Sequence, residues 1–313
     1  MRSLRVYPLA FDSMGVRSQA TLVKAGKLRI VIDPGVALGP KRYGLPPSKE
    51  ELRALELARD IIMRACRKAD VIVVTHYHYD HHPHPDDMEL YEACFKNKLV
   101  YAKHHADEVT DSAKKRGKKF EDIISSIAKE VVWADGKSIE IGDVKIEFSP
   151  PVWHGAPGSK VGRVMMVYIE RGRDSFLHGS DAQNLADPEA LKWVIQKNPK
   201  MIIIDGYPTI LVGWRVSKKS YVESIDNVKK VITDTQAKTI ILDHHIVRDK
   251  KFKEKIKELI ELAEQHGKKI MTAAEYLGLE NLPLEAWRKE LHKGTIKVDV
   301  DEYYKKLRQK IRF

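Results

Sequence analysis

Short apolar runs alternate with amphipathic stretches along this chain, and several of the runs end in a cluster of Asp, Gly or His. Residues 4–11, 20–24 and 28–32 are three such runs separated by polar turns, which predicts a β-meander closed by Asp33-Pro34-Gly35. A Gly/Pro-rich loop covers residues 36–47. Ser48, with Glu51 three positions on, predicts a capping box opening a helix over 49–68. The run Val71-Ile72-Val73-Val74 then predicts a buried strand.

Residues 86–96 and 105–130 predict helices around a short strand at 99–102, and 131–149 predicts strands with a turn at Asp135-Gly136. The second half repeats this alternation. Strands are expected at 164–169, 175–178, 201–205 and 239–242, and helices at 187–197, 221–234 and 250–266, the last stopped by Gly267. Short apolar strands flanked by helices need both sheet faces covered, so the expected fold class is α/β with layered sheets. The end of the chain differs: 284–292 reads as a helix, and over 299–312 Val300, Tyr304, Leu307 and Ile311 recur at helical spacing among basic residues. The expected organisation is a body over 1–282 and a basic helical extension over 283–313, packed on the body or on a neighbouring subunit.

At 313 residues and 43% hydrophobic content, the chain suffices for one large α/β domain or two small ones. Cys66 and Cys94 lie in helical-looking segments without C-x-x-C spacing, which fits a reducing interior and argues against thiolate ligands. No stretch approaches about 18 uninterrupted apolar residues and the N-terminus shows no apolar leader, so a cytoplasmic location without a membrane partner is expected. The net charge of +11 comes with abundant Lys and Glu, a balance found in proteins of hot environments as well as in nucleic-acid binders. Charge alone therefore leaves a nucleic-acid partner open, as it does a homo-oligomer.

The chemistry gathers after the strands. Thr75-His76-Tyr77-His78-Tyr79-Asp80-His81-His82 follows the run 71–74 directly. His76 and His78, two apart on a chain leaving a strand, can aim at one cation while Asp80 and His81 turn toward a second. Hydrolytic two-metal sites need further ligands from distant segments. Three other strand ends offer them: His154 in Trp153-His154-Gly155, Asp181 in His178-Gly179-Ser180-Asp181, and the pair in Asp243-His244-His245. Imidazoles and carboxylates suit Zn first, with Mn or Fe as alternatives, and a water held between two dications is largely hydroxide at neutral pH.

These residues resemble the metallo-β-lactamase superfamily over residues 4 to 275. His76-x-His78-x-Asp80-His81 is similar to its signature, Asp33-Pro34-Gly35 to its strand-end Asp-x-Gly, His154-Gly155-Ala156-Pro157-Gly158 to its third-His segment, and Gly179-Ser180-Asp181 to its bridging-carboxylate segment. Within the superfamily the chain most resembles an archaeal family of predicted metal-dependent hydrolases. The resemblance implies a four-layer αβ/βα sandwich and two divalent cations. It implies His76, His78 and His154 on the first metal, Asp80, His81 and one of His244 or His245 on the second, and Asp181 bridging. Strand alternation leaves the last choice open; His244 is taken first, with His245 kept beside it.

Asp33, His178 and Asp243 flank these ligands and are expected to orient imidazoles. Arg42 in the 36–47 loop, Tyr207 after the strand at 201–205 and Arg248 after the His pair are expected at the mouth as substrate contacts. His82, His84, His104 and His105 read as loop or surface positions. The expected activity is hydrolysis of an ester, lactone, thioester or phosphodiester by metal-activated water, with Asp80 and Asp181 in the catalytic centre. Two alternatives stand beside it: a nuclease or phosphodiesterase acting on RNA or DNA, and a di-iron redox protein.

Overall fold

The computed structural model describes residues 3–106, 109–311 and 313. The meander forms as expected: β1 (Leu4–Phe11), β2 (Gln19–Ala25) and β3 (Leu28–Ile32) are antiparallel neighbours. Then α1 (Lys49–Lys68), β4 (Val71–Val74), α2 (Met88–Phe95), β5 (Leu99–Ala102), α3 (Asp111–Ile124) and β6 (Glu130–Trp133) add parallel strands, completing a sheet in the order β1-β2-β3-β4-β5-β6. Ser48 and Glu51 cap α1 reciprocally, satisfying backbone donors the helix itself leaves unpaired.

A second sheet follows. It contains β7 (Ser138–Ile141) and β8 (Val144–Phe148), and beyond the small hairpin β9 (Val152–Trp153) and β10 (Arg163–Val164) it continues with β11 (Val167–Arg171) and β12 (Asp174–His178). Next come α4 (Pro188–Lys197), β13 (Met201–Ile204), α5 (Lys218–Asp234), β14 (Thr239–Leu242), α6 (Phe252–Lys255), α7 (Lys257–Gln265) and β15 (Lys269–Met271). The order is β15-β14-β13-β12-β11-β8-β7, with β12 to β15 parallel.

The two-residue period of these strands divides the apolar side chains between two cores. Val167, Ile169, Ile203 and Ile241 face the first sheet and join Ile30, Ile32 and Val73 in one cluster. Tyr168, Ile202, Ile204, Ile240 and Leu242 point the other way, against Val194 of α4, Val228 and Val231 of α5 and Leu259 of α7. Helix, sheet, sheet and helix therefore stack as four layers, the α/β metallo-β-lactamase fold with a C-terminal helix.

Three elements depart from expectation. The strand at 164–169 is broken, because Met165 N–H donates to Thr75 and Met166 N–H to Ser149 Oγ, outside the ladder. The helix at 250–266 is interrupted at Ile256, which is buried in the outer core. The helix at 105–130 begins only after the cap Thr110, and residues 107–108 of that stretch lie outside the described residues. At the C-terminus, α8 (Ala273–Tyr276), α9 (Leu284–Lys293) and α10 (Val300–Lys310) lie on the first sheet's side. Arg288 of α9 is fully buried and grips Glu51 of α1 at 2.7 and 2.8 Å, and Tyr304 of α10 donates to Met14 O at 2.9 Å.

Candidate metal centre

Parallel strands deliver their C-terminal ends to one edge of a sheet, and here β4, β12, β13 and β14 converge on one place between the two sheets. Asp33, Ser180 and His244, each near a strand end, take positive φ of 51°, 52° and 105°. Non-glycine residues adopt that region only when their surroundings compel it, and such turns cluster at functional sites. After Ser180 and His244 the following side chains, Asp181 and His245, turn into the gap between the sheets, while Asp33 itself reaches His81 there.

Asp181 lies at the centre. Its Oδ2 is 3.2 Å from His154 Nε2 and 3.6 Å from His76 Nε2, and His76 Nε2 is in turn 3.2 Å from His78 Nδ1. Its Oδ1 is 3.1 Å from His81 Nε2 and 3.6 Å from His244 Nε2, which is 3.5 Å from Asp80 Oδ2. Two donor groups thus share one carboxylate: His76, His78, His154 and Asp181 on one side, Asp80, His81, His244 and Asp181 on the other. His245 also turns inward, with Nε2 3.7 Å from Asp181 Oδ2. The positive φ of His244 is what lets two consecutive imidazoles face one point, which strand alternation alone forbids.

Second partners hold most of these rings. His81 Nδ1 is 2.8 Å from Asp33 Oδ2, while the Asp33 carboxylate also accepts from Thr75 N–H and Oγ–H. His244 Nδ1 is 2.6 Å from Asp12 Oδ2, His245 Nδ1 is 2.7 Å from Asp205 Oδ2, and His154 Nδ1 is 3.3 Å from Gln183 Nε2. Gln19 donates to Asp181 Oδ1 at 2.6 Å. A carboxylate on Nδ1 keeps the proton there and leaves the Nε2 lone pair for a cation. His81 Nε2 and His154 Nε2 are buried without a well-aligned hydrogen-bond partner, although Asp181 is close to both. Ring nitrogens and carboxylate oxygens that converge in a buried space are what a cation would satisfy on displacing their protons, so this donor set fits divalent metal.

Electrostatics agree. Burial pushes His76, His78 and His245 down, His78 to about 3, so each is a neutral donor near pH 7. Burial also opposes a charge on His81, but Asp181 and Asp33 outweigh it and raise it well above the ordinary range. For His244, burial and the Arg248 charge push down while Asp12 and Asp181 lift it to about 9. Burial would raise Asp181, yet His81 and His244 hold it well below the usual carboxylate range. Without metal, His81 and His244 carry the positive charge that the carboxylates require.

Other expected residues lie elsewhere. His178 donates to Gln19 O and accepts from Ser180 N–H, so it ties β12 to β2 and orients no imidazole. Asp243 accepts from the backbone N–H of Ser13, His244 and Ala273; it fixes main chain, and Asp12 and Asp205 hold the rings instead. Tyr207 is 2% exposed and faces Tyr221, away from the cleft. His82, expected on the surface, is buried against Tyr77, Tyr91 and Phe120. Arg42 and Arg248 do line the cavity of about 590 Å³ above the cluster. Asp12 and Asp205 were legible in principle: each follows an apolar strand, as Asp33 does.

The pattern of the beta-lactamase superfamily domain matches residues 28–245. The UPF0282 proteins of Pyrococcus horikoshii and Thermococcus kodakarensis are 45% and 46% identical over 298 residues, covering 93% of this chain and 93% and 96% of theirs. The UPF0282 protein of Methanopyrus kandleri is 38% identical over 296 residues, covering 92% of this chain and 99% of that one. The chain belongs to the UPF0282 family of the metallo-β-lactamase superfamily. Among solved structures, the metallo-β-lactamase fold protein YhfI from Bacillus subtilis is similar to this UPF0282 chain with a TM-score of 0.52 at 14% identity, covering 89% of this chain and 97% of that one. Yeast PDE1 is similar with a TM-score of 0.51 at 12% identity, covering 87% and 99%. CmlA, a diiron beta-hydroxylase from Streptomyces venezuelae, gives 0.52 at 10% identity, covering 86% of this chain and 52% of its own. At such identities these UPF0282 likenesses concern fold.

Proposed function

We propose that the protein is a binuclear metal-dependent hydrolase acting on an ester, lactone, thioester or phosphodiester. The observation that carries this reading is Asp181, whose two oxygens face two separate groups of buried donors. His76, His78 and His154 would hold the first cation, Asp80, His81 and His244 the second, with Asp181 shared. His245 stands beside the first group as a further donor. When bound, the two cations, Zn before Mn or Fe, would acidify the attacking water and polarise the oxygen of the bond to be cleaved.

The chain's own groups do the rest. Asp33 and Asp12 hold the outer nitrogens of His81 and His244, fixing ring orientation before any substrate arrives. Arg248 places a guanidinium on the cleft floor, where developing negative charge would meet it.

Chelation should abolish hydrolysis across a panel of carboxylic, thio- and phosphodiester substrates, and added Zn or Mn should restore it. Asp181→Asn should lower bound metal from two equivalents per chain, measured by elemental analysis. Metal-replete protein inert toward every class would sink the proposal. A visible absorption band from iron would favour the di-iron alternative. Among the described residues, no helix is long and apolar enough to cross a membrane.

A further inference from the structure

The cavity over the metal centre has walls of two kinds. One is apolar: Pro208, Ile210, Leu211 and Trp214 come from the loop that leaves β13, at the strand end nearest the centre. Trp214 is 72% exposed, the most exposed large hydrophobic side chain among the described residues. It does not dangle. The N–H groups of Trp214, Arg215 and Val216 all donate to Leu211 O, and Gly213, at φ 83°, donates to Val216 O. A built turn thus displays an indole at the rim of the cleft, with the Arg215 guanidinium 4.3 Å from its ring centroid.

The other wall is cationic. Lys41, Arg42, Arg116 and Arg215 line the cavity, and none of them forms an ion pair among the described residues. Arg17 and Arg248 differ: Glu285 and Asp12 answer their charges at 2.6 and 2.8 Å. Arg116 is nevertheless held in place, by Tyr77 O at 2.8 Å and Ser112 Oγ at 3.0 Å, and Arg42 by Arg248 O at 3.3 Å and the Tyr43 ring at 4.5 Å. Neutral acceptors fix these two guanidiniums without cancelling their charge. On the floor, buried Arg248 brings Nη2 within 3.0 Å of His244 Nε2 and 3.6 Å of Asp80 Oδ2, so although Asp12 answers its charge, its guanidinium donors reach the reacting position.

We propose that the cleft binds a small phosphodiester bearing a flat aromatic group, of nucleoside type, with the phosphoryl group over the metal pair and the aromatic group against Trp214. The proposal rests on the hydrolase reading above. A neutral ester or lactone would gain nothing from four unpaired cations, whereas a substrate whose reacting group is itself an anion uses Arg248 and the rim together. A cavity of about 590 Å³ suits a molecule of nucleotide size. In the reaction, water adds its oxygen to phosphorus, the bond from phosphorus to the leaving alcohol's oxygen breaks, and that oxygen takes up a proton. The products are a phosphomonoester and an alcohol.

The test compares metal-loaded protein on three p-nitrophenyl substrates: the thymidine 5′-phosphodiester, the ethyl phosphodiester and the acetate ester. The thymidine substrate should exceed the ethyl one in kcat/KM by about tenfold, within what a base stacked on an aromatic ring contributes. Trp214→Ala, at a position too exposed to threaten folding, should bring that ratio close to one through a higher KM. Arg42→Ala combined with Arg116→Ala should raise KM for both diesters, most strongly at low salt. Hydrolysis of the acetate alone would overturn the phosphodiester proposal and leave the hydrolase reading standing, while inertness toward all three and the wider ester panel would sink both. An unchanged ratio in Trp214→Ala would overturn the aromatic subsite. Cleavage of RNA oligomers with no mononucleotide turnover would overturn a small-molecule substrate.

Discussion

Gly35 shows how tightly single residues constrain the centre. A Cβ at that position would meet His82 N at 2.3 Å and His81 N at 2.6 Å, both backbone atoms that cannot yield cheaply. The glycine lets the Asp33 turn lie directly on the His81 segment, so that Asp33 reaches His81 Nδ1. Gly35→Ala should therefore displace His81, lowering metal content by up to one equivalent per chain and destabilising the fold by about 1–3 kcal/mol, as overpacked sites do. Elemental analysis and thermal denaturation would check this, and full metal content with wild-type stability would contradict it. At this scale the donors were largely legible in the sequence, because chemistry-bearing residues directly after an apolar run have few other uses. Asp12 and Asp205 escaped because, although they follow strands as Asp33 does, neither has a histidine beside it in sequence to mark it as part of a donor cluster.

Among elements, the C-terminal helices are tied to the body by charge as well as packing. Arg288 of α9 and Glu51 of α1 are both fully buried, and Glu51 also accepts from Ser48 N–H in the capping box. Arg288→Ala would leave Glu51 uncompensated in the interior and should cost about 3–5 kcal/mol, read by chemical denaturation. Glu285 of α9 is bound by Arg17 through two hydrogen bonds of 2.6 Å. Burial would raise the Glu285 carboxyl, but Arg17 outweighs it and lowers it from 4.5 to about 2. A depressed carboxylate adds stability that is complete above its unfolded value and disappears as pH falls through its folded value. The destabilisation caused by Glu285→Gln should thus be full at pH 7, shrink below about 4.5, and vanish near 2, measured as the difference in denaturation midpoint. Helices 284–292 and 299–312 were visible from periodicity, yet nothing in their spacing showed that α9 would send a buried arginine into α1. That pairing joins positions 237 apart in the chain.

Over the whole molecule, the centre joins the two sheets. His76, His78, Asp80 and His81 follow β4 of one sheet, while Asp181 and the histidine pair follow β12 and β14 of the other. Each cation bound there would tie the layers together and favour the folded chain by about 2.7 kcal/mol at a metal concentration one hundred times its Kd. At about 2–4 °C per kcal/mol, each bound equivalent of Zn should raise Tm by roughly 5–10 °C, and the total rise should shrink in Asp181→Asn. A Tm indifferent to metal and chelator would contradict the two-sheet arrangement of ligands. Periodicity and local turn chemistry are short-range properties, and they sufficed for the alternating elements, the layered class and the strand-end positions of the donors. The direction of each side chain beyond a strand end depends on one or two backbone angles compelled by packing far away in sequence. His244, at φ 105°, is the decisive case: it turns both imidazoles inward, a choice that only the assembled sheets could make.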